Sequence, residues 1–182
     1  MFNIKPTAIK EIEKYITKRN GWLLPELKKK YPDLNFIFTK VPHASVSYQR
    51  DKATIYLPED NSSEECLTHE LLHLYLETKE SNIVCCLIEG LIREKTNLKL
   101  IFSKDLVEHT TNCINHVKML PYFIKMGYDK ANFLADSSLN KCEIHYARKI
   151  KRRFKFLGTY FKFAIDSYIG KFFAMNDYSG VN

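Results

Sequence analysis

No apolar stretch in this 182-residue sequence approaches the roughly 20 residues that a bilayer-crossing helix requires, so no transmembrane segment is expected. The first residues, MFNIKPTAIKEIEKY, carry a charge every few positions and lack an apolar centre, which argues against a secretory signal. Cysteines are few and unpatterned: five, at 66, 85, 86, 113 and 142, an odd number with no CxxC pair. That argues against a disulfide framework and a zinc ribbon. It leaves reduced, mostly buried thiols and a cytoplasmic location as the expectation. Internal repeats, low-complexity linkers and a helix-turn-helix signature are also missing.

What is present reads as a folded chain. Hydrophobic residues make up 45% and charged residues 27%, a globular composition, and the length suits a single domain, residues 1–182. Within it the pattern suggests a helix and β-rich part over 1–60, helices over 61–128 and a basic helical tail over 129–182. The net charge of +7 is uneven. Residues 141–182 hold nine lysines and arginines against Glu143, Asp166 and Asp177, leaving the first 140 residues at about +1. A basic tail on a near-neutral body suits an acidic contact surface.

Ile9, Ile12 and Ile16 fall at helical spacing within residues 6–19, with Asn20-Gly21 as the expected stop and a short second helix over 24–31. Residues 35–41, 44–49 and 53–58 are rich in β-branched and aromatic side chains and predict three short strands, with a hairpin reversal at Asp51-Lys52. Ser62 and Glu65 fit a capping box that opens a helix with Leu67, Leu71, Leu74 and Tyr75 on its apolar face. Further helices are expected over about 82–95, 103–127 with a kink at Pro121, and 137–175. Strands followed by helices predict an α+β fold: a small antiparallel or mixed three-stranded sheet packed on the 61–79 helix, then a helical C-terminal half.

That helix carries LTHELLHLYLETK, and inside it His69-Glu70-Leu71-Leu72-His73. Four residues apart on a helix is one turn up the same face, so His69 and His73 can aim two imidazoles at one ion. Glu70, offset by one position, can reach a water on that ion. Two ligands and one general base is the logic of H-E-x-x-H, and zinc suits it because a third protein ligand still leaves one position open. The plain alternative is two histidines sharing a polar helix face.

The constellation resembles the zincin metallopeptidases, with HELLH as the matching residues and roughly residues 35–125 covered. Compact forms, the minigluzincins and the ImmA/IrrE-like proteins of bacteria and phage, are most similar in size and element order. The resemblance implies zinc and peptide-bond hydrolysis. SprT-like proteins would be a nucleic-acid-associated parallel, but the zinc-ribbon cysteines are missing. The extended metzincin signature is absent too, since Lys79 stands six residues after His73. A gluzincin would draw its third ligand from a following helix, where Glu89 is the candidate, although Arg93 four residues on offers it a surface partner. His109 and His116 are the others. They lie two turns apart, roughly 10 Å, so one ion cannot take both. NCINHVKMLPYFIKMGYD resembles a block of small bacterial HExxH proteins in which the histidine before the Met/Pro pair recurs, which ranks His116 before Glu89 and His109.

Tyr122 and Tyr128 are oxyanion candidates, and Glu77, one turn beyond His73, could orient its ring. His43 and His145 sit in no motif. Residues 145–175 interleave basic and bulky apolar residues, as in a core-packing helix with one solvated face. The functional alternatives for that stretch are an acidic protein partner, nucleic acid or an anionic membrane surface. The expected function is a cytoplasmic zinc peptidase acting on a restricted peptide or protein substrate. The alternative is an inactive zincin-like or helical binding protein whose basic helix contacts an acidic partner or nucleic acid.

Overall fold

The three strands are β1 (Asp33–Thr39), β2 (Ser45–Gln49) and β3 (Lys52–Pro58). Ala53, Ile55 and Leu57 alternate along β3 and are all buried, whereas β2 is almost wholly exposed. The strand with the cleanest apolar face therefore takes the centre, in the order β1–β3–β2. The sheet is mixed. β2 runs antiparallel to β3 with Val46 opposite Ile55, and β1 runs parallel to it with Phe36 opposite Ile55. The hairpin reverses at Arg50-Asp51, one residue before the expected Asp51-Lys52, because Lys52 already pairs with Gln49. Arg50 takes the positive φ, 54°, that so short a loop demands.

The computed structural model describes residues 11–79, 89–90, 93, 104–133 and 148. Its helices are α1 (Leu23–Lys30), α2 (Glu64–Lys79) and α3 (Lys104–Lys125). Helices before and after a mixed sheet make the class α+β, as expected. Among the described residues no helix is long and apolar enough to cross a membrane. The chain divides into two compact units, residues 1–81 with 118–133 and residues 82–117 with 134–182.

In the first unit α1 packs on α2 and β1, and α2 packs on β2 and β3. Leu23, Leu27, Ile55, Leu57, Leu67, Leu71, Leu72 and Leu74 are fully buried there. At about 1.5–3 kcal/mol for each such side chain, this core is what holds α2 in place. Tyr31 ends α1 just before Pro32 and is itself buried.

Two local expectations are corrected. The first helix does not reach residue 19: residues 11–13 are helical and 14–15 already turn. Asn20 is the reason. Its side-chain oxygen accepts the Thr17 N–H at 2.8 Å, and its amide donates to the Tyr15 carbonyl at 2.9 Å and the Thr68 hydroxyl at 3.0 Å. Backbone groups that a longer helix would pair internally are thus taken by one fully buried amide. The cap of α2 is Ser63, not Ser62: the Ser63 hydroxyl accepts the Cys66 N–H at 3.1 Å, while Ser62 donates to the Pro58 carbonyl.

The end of α3 belongs to the first unit. Gly127, at φ 85°, stops the helix: its N–H reaches the Ile124 carbonyl at 2.9 Å, and the Tyr128 N–H reaches the Phe123 carbonyl at 3.4 Å. That is the Schellman pattern, completed by ring contact between Phe123 and Tyr128 at 4.7 Å. A Cβ at Gly127 meets nothing within 4 Å, so substitution is penalised by backbone strain alone. Gly127→Ala is expected to lose about 1–2 kcal/mol in a urea titration, and D-alanine at the same position to recover it.

In the second unit Glu89, Gly90, Arg93 and Arg148 are helical, and residues 104–117 form the first turns of α3. Val107, Thr111, Cys113 and His116 are buried along that helix. The rest of the expected 82–95 and 137–175 helices, and with it the basic stretch 145–175 apart from Arg148, lies outside the described residues.

Candidate metal centre

Ser63 sets the start of α2, and the buried leucines fix its roll. Those two constraints carry His69 and His73 one turn apart onto a half-buried face. Their rings lie 4.9 Å apart between centroids at 70°, and their Nε2 atoms are 3.2 Å apart. His116 joins them from α3. It is buried there, at 7% exposure. One ligand nitrogen from each of His69, His73 and His116 falls within 4.8 Å of the others. The three are close enough to hold a metal ion.

Burial tunes the groups around this cluster. It pushes the His69 imidazole down to about 4, with a hydrogen bond to the Phe133 backbone acting in the opposite sense. The ring is therefore neutral near pH 7, which is the form that ligates metal. Glu70 is 7% exposed, and burial alone pushes its carboxyl up to about 7. The Cys66 thiol is raised by burial and then by Glu70, one turn along. Cys66 is half-buried and Cys113 buried, and neither forms a disulfide.

The remaining candidates are placed elsewhere or otherwise engaged. Glu89 is exposed and ion-paired with Arg93 at 3.6 Å, outside the histidine cluster. Glu77 accepts from the Tyr48 hydroxyl at 3.3 Å and lies 4.0 Å from the Lys30 ammonium, so it ties α2 to α1 and β2. Tyr122 is exposed, edge-on to Tyr75 at 5.7 Å. Tyr128 is buried and commits its proton to the Glu64 carboxylate at 2.5 Å, which removes it as an oxyanion donor. His43 is exposed, and the side chain of His109 lies outside the described residues.

Three participants escaped the sequence reading. Glu64 is desolvated, yet hydrogen bonds from Thr17 and Tyr128 and the charge of Arg19 bring its carboxyl below the usual range. Asn20 joins that network through Thr68. Phe133 lies against His69, with ring centroids 5.0 Å apart. The one available signal was Gly127-Tyr128-Asp129, a helix stop followed by a capping residue; nothing local linked it to the histidines. Comparisons of the chain with protein-family models, with curated proteins and with solved structures gave no match.

Proposed function

We propose that the protein is a zinc-dependent peptidase of the HExxH type, with His69, His73 and His116 as the metal ligands and Glu70 as the general base. The observation that carries this reading is the convergence of three imidazole nitrogens within 4.8 Å beside a buried carboxyl. Zinc–nitrogen bonds of about 2.0–2.1 Å in a tetrahedron put ligand atoms roughly 3.4 Å apart. The 3.2 Å between the His69 and His73 Nε2 atoms fits that edge, and a His116 nitrogen lies within 4.8 Å of the other ligand atoms. Three neutral imidazoles are also a donor set that zinc favours.

When bound, zinc supplies a Lewis acid that polarises a peptide carbonyl and lowers the pKa of water toward about 7. The protein's part is done by Glu70. Its carboxylate takes a proton from the attacking water and returns it to the leaving amine, a cycle best served by a group that titrates near the working pH. Burial raises the Glu70 carboxyl to about 7 in the metal-free site, so it holds a proton more readily than an exposed carboxylate. The substrate class is a peptide or protein.

Metal analysis of untagged protein tests the proposal. One zinc per chain is expected. His116→Ala is expected to lower that occupancy and Glu89→Ala to leave it unchanged. Metal-free parent protein, with stability indifferent to chelator, would overturn the metal reading in favour of a helical binding protein; a larger loss from Glu89→Ala would reassign the third ligand.

A further inference from the structure

The residues after the Gly127 stop run back along α2, and their contacts follow that helix. The Tyr128 hydroxyl donates to Glu64 at 2.5 Å and sits 3.1 Å from the Thr68 hydroxyl, one helical turn further on. Thr68 in turn donates to the Glu64 carbonyl at 2.7 Å and accepts from Asn20. Arg19 closes the other side, with its guanidinium 4.9 Å from the centre of the Tyr128 ring and a hydrogen bond to the Gly127 carbonyl at 3.4 Å. Tyr128 is therefore an anchor held from three directions. Asp129 then caps the single 3-10 turn Lys130–Asn132, accepting the Ala131 N–H at 2.8 Å. That turn delivers Phe133, whose ring lies 5.0 Å from His69 at 52° and 5.1 Å from Phe123 at 63°.

An imidazole that ligates through Nε2 needs its ring plane held and its proton kept on Nδ1, and a backbone partner on the far nitrogen commonly does both. Phe133 offers His69 an aromatic wall, with ring centroids 5.0 Å apart, and its backbone favours the protonated imidazole. We propose that Phe133 is a positioning residue for His69, anchored by Tyr128, and that it presents the His69 Nε2 toward His73 and His116. The purpose of this arrangement rests on the metal reading above. Its test does not, because the tautomer of His69 is measurable without metal.

The experiment uses the full chain with nitrogen-15 in its histidines. In metal-free protein the parent is expected to hold His69 as the Nδ1–H tautomer. Phe133→Ala is expected to shift it to a mixture, and Phe133→Leu, which refills most of the space, to restore the parent pattern. Tyr128→Phe keeps the ring contact with Phe123 and deletes one hydroxyl; it is expected to shift the tautomer the same way by less. With zinc alone as the probe, chelator competition should show affinity falling about 10–100-fold in Phe133→Ala and largely recovering in Phe133→Leu. Ile12→Ala, a buried change in the short helical segment before α1, serves as the stability control and should alter neither readout. An unshifted tautomer in Phe133→Ala, or an equal loss of both signals in Ile12→Ala, overturns the assignment. Absence of zinc binding in the parent would sink the proposed function while the tautomer still decides the role of Phe133.

Discussion

Glu70→Gln is expected to keep the zinc content of the parent and to lose peptidase activity by a factor of about 10²–10⁴ in kcat, the usual weight of a positioned acid–base group. Glutamine has nearly the shape of glutamate, and it fills the same buried position on α2 without disturbing the leucines behind it. What it cannot do is accept a proton. The three histidines are untouched, so binding and chemistry separate cleanly in this variant. Cleavage of a mixed peptide library, read by mass spectrometry beside metal analysis, is the measurement. A variant that cuts the same bonds at the parental rate would remove Glu70 from the mechanism. One that loses its zinc would instead make Glu70 part of the metal site's support.

The largest expected change in stability is at Phe123. Its ring is fully buried, is the inner partner of the Gly127 stop through Tyr128, and meets Phe133 edge-on. Phe123→Ala removes contacts to both and opens a cavity that the rigid end of α3 cannot close, at a cost of about 3–5 kcal/mol. Against a total of about 5–15 kcal/mol for an ordinary domain, that is a large share. For a chain of this size it corresponds to a fall in Tm of roughly 2–4 °C for each kcal/mol. Ile124→Ala, one residue on but 41% exposed, is the comparison and is expected to stay within about 0.5 kcal/mol. Equal losses at the two positions, measured by thermal melting, would mean that the end of α3 does not pack as described.

Much of the fold was legible because periodicity is local. Residues 53, 55 and 57 announce a strand with one apolar face, and that strand becomes the centre of the sheet. Leu67, Leu71 and Leu74 announce the buried face of α2. Failures occurred where a side chain's distant partner decided the local structure. Asn20-Gly21 reads as a helix stop, yet Asn20 is drawn inward by Thr68, forty-eight residues away, and shortens the helix before it. Ser62 and Ser63 are equivalent as letters, and the Pro58 carbonyl takes the first and leaves the second to cap. That β1 pairs with β3 rather than with its sequence neighbour β2 is likewise not written in the residues of either strand alone.

The candidate site divides along the same line. His69, Glu70 and His73 belong to one helix, and the 3.6-residue period alone puts the two rings on one face with the carboxyl beside them. No such rule reaches a third ligand. Glu89, His109 and His116 all sit on later helices with similar local credentials, and a resemblance could only rank them. The structure separates Glu89 from His116: Glu89 is exposed beside Arg93, whereas buried His116 has a ligand nitrogen within 4.8 Å of those of the other two histidines. Phe133 was beyond local reading altogether, because its contact with His69 spans sixty-four residues and exists only once Gly127 has turned the chain back along α2. Short-range geometry is written in residue spacing; the meeting of distant side chains is set by which faces are buried together.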